Sequence, residues 1–189
     1  MVLALPFVIG VLAALPFGGR VGSLGAARFH WLWLAYVALA FQIAAFPGSS
    51  LPWHTADAAA VGLWIASDFL LAAVVVRNVR LPGVALVAAG LGSNLLAVLA
   101  NGGHMPALPR ALADAGLHYT RSMNSELMAH PALPWLVDRW AAPHWIPLAN
   151  IFSVGDVAIA VGGFVLGLSL TGARVPGRRA RPAATDLIS

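Results

Sequence analysis

Acidic and amide side chains lie inside stretches of this sequence that are otherwise apolar. Asp68 lies near the middle of the third apolar run, and Asp156 lies about two to three turns inside the outer end of the fifth. Gln42 and Asn94 lie in the second and fourth runs, and none of the runs contains a Lys or Arg to neutralise a carboxylate. Carboxyl groups in such surroundings are either neutral hydrogen-bond donors between helices or anions that hold a cation. These residues therefore predict a proton, cation or polar-ligand site. The alternative is a purely structural role, in which a buried, protonated acid holds helices together.

The polar positions also share one end of their runs. Each lies near the middle of its run or toward the end that the arginines, discussed below, place on the outer side of the membrane. The inner halves of the runs are almost free of polar groups. This asymmetry predicts an outward-facing pocket within the membrane, with small residues allowing close helix contacts around it. The ligand-binding candidates are Gln42, Asp68, Asn94, Asn101, His104, Asn150, Ser153 and Asp156.

The composition indicates that lipid is the solvent for these runs. The chain has 189 residues, of which 60% are hydrophobic and 10% charged. A soluble domain carries roughly a quarter charged residues, so this much apolar surface needs a second solvent. The chain has no cysteine, which excludes disulfides and thiolate chemistry. Its histidines lack metal-ligand spacing such as His-Glu-x-x-His, so we expect neither a metal nor a cofactor.

Five apolar runs, each bounded by Arg, Pro or Gly, organise the chain. Each is near or above the length that spans a bilayer. The prediction is an all-α, polytopic membrane bundle of about five transmembrane helices that occupies residues 1–172 as a single domain. The runs are Met1–Phe17, His30–Phe46, Ala58–Val76, Pro82–Ala100 and Ile146–Leu170.

The arginines predict the orientation. Arginine is concentrated in the first connection, the third connection and the C-terminal tail. By the positive-inside rule, the N-terminus is outside and the C-terminus is in the cytoplasm of a bacterial inner-membrane protein. The basic tail, 173–189, is expected to be disordered and to contact anionic lipids. Because the basic residues lie at helix ends and in the tail, we expect no nucleic-acid partner, while other membrane subunits remain possible partners.

The long outer connection, 101–145, has features of its own. Pro109 and Gly116 predict a short helix with proline near its start and glycine at its end. Asn101-Gly-Gly is a good helix end and sharp turn. Trp135 and Trp140 are among several tryptophans that suit the membrane–water boundary. We expect this segment to cover the outer helix ends as short amphipathic pieces.

Two motifs carry a resemblance to a known family. Asn101-Gly-Gly-His-Met-Pro106 ends the fourth run, and Asn150-x-Phe152-Ser153-x-Gly155-Asp156 opens the fifth. With the short loop helix between them, they resemble an uncharacterised family of small bacterial multi-spanning membrane proteins. The resemblance implies a membrane bundle and no activity. His104 stands where tyrosine is more usual, which argues against a metal-ligand role for it.

Three functions stay open from the residues. The first is binding or transport of a small polar or lipid-like ligand through the outward pocket. The second is an accessory subunit or assembly factor of a larger membrane complex. The third is a membrane-embedded enzyme acting on a lipid or quinone, with the aspartates and His104 as acid–base candidates. Phosphate-loop, nucleophile-elbow and dinucleotide motifs are absent, so the sequence favours a protein without catalytic activity.

Overall fold

The protein is mostly helical, as the sequence predicts. The computed structural model describes residues 4–46, 55–116, 125–142 and 151–173. Five apolar helices overlap the five predicted runs, and a short helix follows the fourth. These helices are α1 (Ala4–Ala14), α2 (Leu32–Ala45), α3 (Asp57–Arg77), α4 (Val84–Ala100), the short α5 (Pro109–Asp114) and α6 (Val154–Leu170).

Glycine and proline determine several helix ends. Gly83 precedes α4 with a φ of 85°, a left-handed conformation that glycine adopts without a steric penalty. At the other end of α4, the Gly103 amide donates to the Val98 carbonyl at 2.9 Å, and Gly102 has a φ of 73°. This is a Schellman ending, and it confirms the sharp turn predicted for Asn101-Gly-Gly. α5 begins at Pro109 as predicted, and Gly116 follows it at a φ of 65°.

The apolar helices pack as a row whose order differs from the chain order. The main contacts join α2 to α3, α3 to α4, α4 to α6, and α6 to α1. Glycines allow two of these crossings to be very close. A Cβ added at Gly90 of α4 would overlap the Gly155 carbonyl of α6, and one at Gly167 would overlap the Phe7 carbonyl of α1. Small residues thus let backbones meet on both sides of α6.

A small cap of short elements covers the end of the row where α4 ends and α6 begins. Strand β1 (Met105–Ala107) pairs in parallel with β2 (Ser125–Leu127), and β3 (Trp140–Ala141) pairs antiparallel with β4 (Ile151–Phe152). A core of buried Ala97, Val98, Met105 and Val137 joins the cap to α4. The strands were not predicted, because two- and three-residue strands leave no alternation in the sequence.

The fifth predicted run begins too early. α6 starts at Val154 rather than at Ile146, because Ser153 caps the helix and the two preceding residues form β4. Asp156 therefore lies in the first turn of α6, at the N-terminal end of the helix. The prediction that it lies two to three turns inside was wrong. Residues 146–150 at the start of the predicted run lie outside the described residues, as does most of the tail.

One helix in the described part of the chain is long and apolar enough to cross a membrane, judged by length and composition. It is α3, with 21 residues. The other apolar helices are shorter, with 10–17 residues. At 1.5 Å per residue, α4 and α6 are each about 26 Å long, somewhat less than the ~30 Å hydrocarbon core.

Candidate functional site

A capping box forms the N-terminal end of α6. The Ser153 hydroxyl accepts a hydrogen bond from the Asp156 amide at 3.1 Å. In return, one carboxylate oxygen of Asp156 accepts from the Ser153 amide at 2.9 Å. This reciprocal pair satisfies two backbone donors that a helix start otherwise leaves without partners. The sequence motif Ser153-x-x-Asp156 thus has a structural task before any other.

Asn94 of α4 joins this box from the neighbouring helix. Its side-chain amide donates to the second carboxylate oxygen of Asp156 at 2.9 Å, and its carbonyl oxygen accepts from the Ser153 hydroxyl at 2.9 Å. Gly155 makes the approach possible, because a Cβ at that position would overlap the Asn94 oxygen. Three of the predicted candidates, Asn94, Ser153 and Asp156, are therefore brought together at the α4–α6 contact.

Asp138 is a further acid at this place, and sequence reasoning missed it as a site residue. Its amide donates to the Pro106 carbonyl at 3.0 Å, and its carbonyl accepts from Leu108 at 3.0 Å. The next residue, Arg139, donates its amide to the Phe152 carbonyl at 3.2 Å. Asp138 is thus held between the strands that contain parts of the two motifs, β1 and β4. The only sequence signal was a lone acid in an apolar Leu-Val-Asp segment.

The electrostatic surroundings of Asp138 are unfavourable for its charged form. The residue is 7% exposed. Burial first, and the nearby Asp156 carboxylate second, raise the pKa of Asp138 from 3.8 to about 8. Loss of solvation and a like charge both disfavour ionisation. Near neutral pH Asp138 therefore holds a proton beside the hydrogen-bonded side chain of Asp156.

The other predicted intramembrane polar residues form a separate cluster between α2 and α3. The Gln42 amide donates to the Ser67 hydroxyl at 3.2 Å, and that hydroxyl donates to the Trp64 carbonyl at 2.7 Å. Asp68 lies close enough to Trp64, one turn earlier, for an electrostatic interaction. The Trp64 indole N–H is buried and makes no hydrogen bond of normal geometry to any described residue. Gln42 and Asp68 thus interact with residues other than the α4–α6 group, although a single pocket was predicted.

The remaining candidates serve the cap or lie outside the described residues. The Asn101 side chain bonds both the amide and the carbonyl of Ala132, at 2.8 and 3.0 Å, and so fastens the cap to the end of α4. His104, the residue before β1, has its Nδ1 3.7 Å from the Oε2 of Glu126 in β2. Asn150 lies outside the described residues.

The chemistry available at the α4–α6 contact is that of oxygen and amide groups around a carboxyl pair. Such groups bind protons and small cations. Among the described residues, no three His, Cys, Asp or Glu side chains come together to hold a metal ion. His104 pairs with Glu126 and Asp156 with Asn94 and Ser153, so the acid–base group proposed for an enzyme is not assembled by the described contacts.

The fold and site define a mostly helical protein with a row of apolar helices and a small cap. A pair of carboxyl groups, Asp138 and Asp156, lies where the cap meets the row. Residues 26–168 match a family of unknown function, DUF5317, and the chain belongs to that family. The match covers most of the chain and includes both motifs, the cap and all the apolar helices except α1. The chain matches none of the curated proteins and none of the solved structures compared with it.

Proposed function

We propose that this protein is a five-span membrane protein, N-terminus outside, that binds a proton or small cation at the Asp138–Asp156 pair on its outer side. The exposure of the helices supports the membrane part. Only 11% of the most apolar stretch of α3 is buried within the protein, whereas the core helix of a soluble protein is mostly buried. Large apolar side chains are exposed on the other helices too, including Leu5, Leu12, Trp33, Tyr36, Leu39, Leu86, Leu96, Val157 and Val161.

The single observation that carries the binding proposal is the buried Asp138 beside Asp156. Asp156 already receives hydrogen bonds from the Asn94 side chain and the Ser153 amide, and the Ser153 hydroxyl, whose one proton is shared with the Asn94 oxygen, lies 3.0 Å from it. Asp156 is therefore held in place, and the raised pKa of Asp138 makes Asp138 the carboxyl that takes up the proton. When that proton leaves, two neighbouring carboxylates remain in a site with little water. A small cation relieves their repulsion, so proton and cation compete for the same place.

The expected pH dependence follows from the sign of the shift. The folded pKa of Asp138, about 8, is above its unfolded value, 3.8. Between these two values the folded state holds more protons than the unfolded state, so stability falls as the pH rises from about 4 to about 8 and then levels off. The full rise in the Asp138 pKa corresponds to at most about 6 kcal/mol of unfolding free energy.

The test is thermal unfolding of the purified protein in mild detergent across this pH range. We expect the Tm of wild type to fall between pH 5 and pH 8, and Asp138→Asn to lose most of this dependence. At pH 9, sodium or methylammonium should raise the Tm of wild type more than tetraethylammonium at equal ionic strength, because the bulky ion does not fit between the buried Asp138 carboxylate and the half-buried Asp156.

Asp114→Asn is the matched control, since Asp114 is an exposed acid of the cap that pairs with Arg110. This variant should keep the wild-type pH and cation dependence. A wild-type Tm that is independent of cation size at pH 9 would exclude the cation site. A pH profile that Asp138→Asn leaves unchanged would exclude the proton site as well.

An accessory-subunit role is the second candidate, and one observation favours it. The helices form a row rather than a closed bundle, and α2, at one end, has its main helix contact with α3 alone. Its opposite face presents Trp33, Tyr36, Leu39 and Ile43 at helical spacing, all exposed. Such a face suits either lipid or another membrane subunit. Native mass spectrometry of mild-detergent extracts separates the two, since a subunit co-extracts with defined partners.

A further inference from the structure

Two asparagines form the same arrangement at opposite ends of the α3–α4 hairpin. Asn78 follows the last residue of α3, and its side-chain amide donates to the Val74 carbonyl, four residues earlier, at 2.7 Å. The same side chain also forms two hydrogen bonds with the backbone of His30, which precedes α2. It accepts from the His30 amide at 2.8 Å and donates to the His30 carbonyl at 2.8 Å.

Asn101 repeats this pattern at the end of α4. Its amide donates to the Ala97 carbonyl, again four residues earlier, at 2.7 Å. It also donates to the Ala132 carbonyl, and its oxygen accepts from the Ala132 amide. We call Asn78 with His30 the first clamp and Asn101 with Ala132 the second clamp.

The residue after each clamped position is an exposed apolar residue in a left-handed conformation. Trp31 has a φ of 58° and Leu133 a φ of 53°, and they are the two non-glycine residues with positive φ in the described part of the chain. This conformation costs roughly 1–2 kcal/mol for a residue with a Cβ. It persists although Trp31 is 51% exposed and Leu133 39%. Trp135, two residues on, is 66% exposed. Intramolecular packing therefore does not explain why these side chains point outward.

The distance between the clamps matches a bilayer. Because the link from α3 to α4 is short, Asn78 lies at the end of the hairpin where α4 begins, and Asn101 lies where α4 ends. The 17 residues of α4 separate the clamps by about 26 Å, close to the ~30 Å of a hydrocarbon core. A guanidinium also lies over an exposed tryptophan at each end. Arg77 is 5.9 Å from the Trp31 ring centre, and Arg139 is 5.3 Å from that of Trp140.

We infer that the two clamps position membrane-interface anchors, Trp31 on the inner side and the Leu133–Trp135 turn on the outer side. The partner is the phospholipid surface. Tryptophan and leucine enter the boundary between headgroups and acyl chains, and the adjacent arginines face the phosphates. The asparagines are positioning residues, because each fixes the backbone that turns its apolar neighbour outward. The inference rests on the membrane embedding proposed above and is independent of the carboxyl pair.

The natural absence of cysteine makes a depth measurement direct. Single variants Trp31→Cys and Trp135→Cys carry a nitroxide label in full-length protein reconstituted into phosphatidylcholine–phosphatidylglycerol vesicles. Phe69→Cys on the exposed face of α3 is the acyl-chain reference, and His130→Cys on the exposed surface of the cap is the water reference. Relaxation by oxygen, which concentrates in lipid, and by a water-soluble nickel complex gives the depth of each label.

The labels at 31 and 135 should lie between the two references. Equal access to nickel at 135 and 130 overturns the outer anchor, and shielding from both relaxants overturns it in favour of a protein contact. If the label at 69 also lies in water, the membrane proposal itself fails. Asn101→Ala should raise nickel access at 135 and leave 31 unchanged, and Asn78→Ala should do the reverse. Unchanged depth in both variants overturns the positioning role.

Discussion

The α4–α6 contact and the α2–α3 contact each join two apolar helices, but they differ in how many polar side chains hydrogen-bond between the helices. At α4–α6, glycines bring the backbones together, and Asn94, Ser153 and Asp156 form a closed set of hydrogen bonds. At α2–α3, one bond from Gln42 to Ser67 joins the helices. The first contact is built around a fixed polar geometry, whereas the second relies on apolar packing. We therefore expect the first to tolerate substitution poorly and the second well.

The largest effect is expected from Gly155→Ala. The added Cβ would overlap the Asn94 oxygen and lie 2.7 Å from the Gly90 carbonyl. Because backbone atoms on α4 cannot move aside cheaply, we expect a loss of about 3 kcal/mol or more. Gly92→Ala on α4 is the matched control. Nothing lies within 4 Å of a Cβ there, and alanine favours the helix by roughly 0.5–1 kcal/mol. Denaturation in detergent measures both, and equal stability of the two variants would disprove the close contact.

An intermediate effect is expected from Asn94→Leu. This change removes the donor to Asp156 and the acceptor for the Ser153 hydroxyl while keeping a side chain of similar size. Asp156 and the Ser153 hydroxyl keep each other as partners, so the expected loss is that of the two Asn94 hydrogen bonds, about 1–3 kcal/mol in total. A double-mutant cycle with Ser153→Ala isolates the shared bond, and a coupling energy clearly above zero is expected. Additive losses would show that the two side chains do not act as one unit.

The sequence predicted the helices of both contacts but only part of the site. Each apolar run contains a helix because long stretches without charge or turn residues have few alternatives. Asn101-Gly-Gly and Pro109 also marked their turns correctly. The start of α6 was placed too early, because the apolar residues of a two-residue strand cannot be distinguished from the first turn of a helix. Ser153-x-x-Asp156 is a capping-box pattern, and giving it more weight would have corrected both the helix start and the depth of Asp156.

Asp138 and the separation of the polar groups into two clusters lay beyond sequence reasoning. Helical position predicts which residues share a face of one helix, but not which helices become neighbours. Here α4 packs on α6, and α2 packs on α3, so the polar residues of four helices divide into pairs. Asp138 reaches Asp156 through β3 and β4, whose pairing joins residues 10 to 12 positions apart. No local pattern marks such a pairing.

The smallest effect is expected from Gln42→Leu at the α2–α3 contact. The bond it removes is long, at 3.2 Å, and the Ser67 hydroxyl keeps its own acceptor, the Trp64 carbonyl at 2.7 Å. Ser67 is therefore not left as an unsatisfied donor, and leucine at position 42 adds apolar contact. In the membrane embedding proposed above, hydrogen bonds between helices average about 0.6 kcal/mol, so we expect a loss below about 1 kcal/mol in the same detergent assay. A loss as large as that of Asn94→Leu would show that the α2–α3 contact also depends on fixed polar geometry, and the difference between the two contacts would disappear.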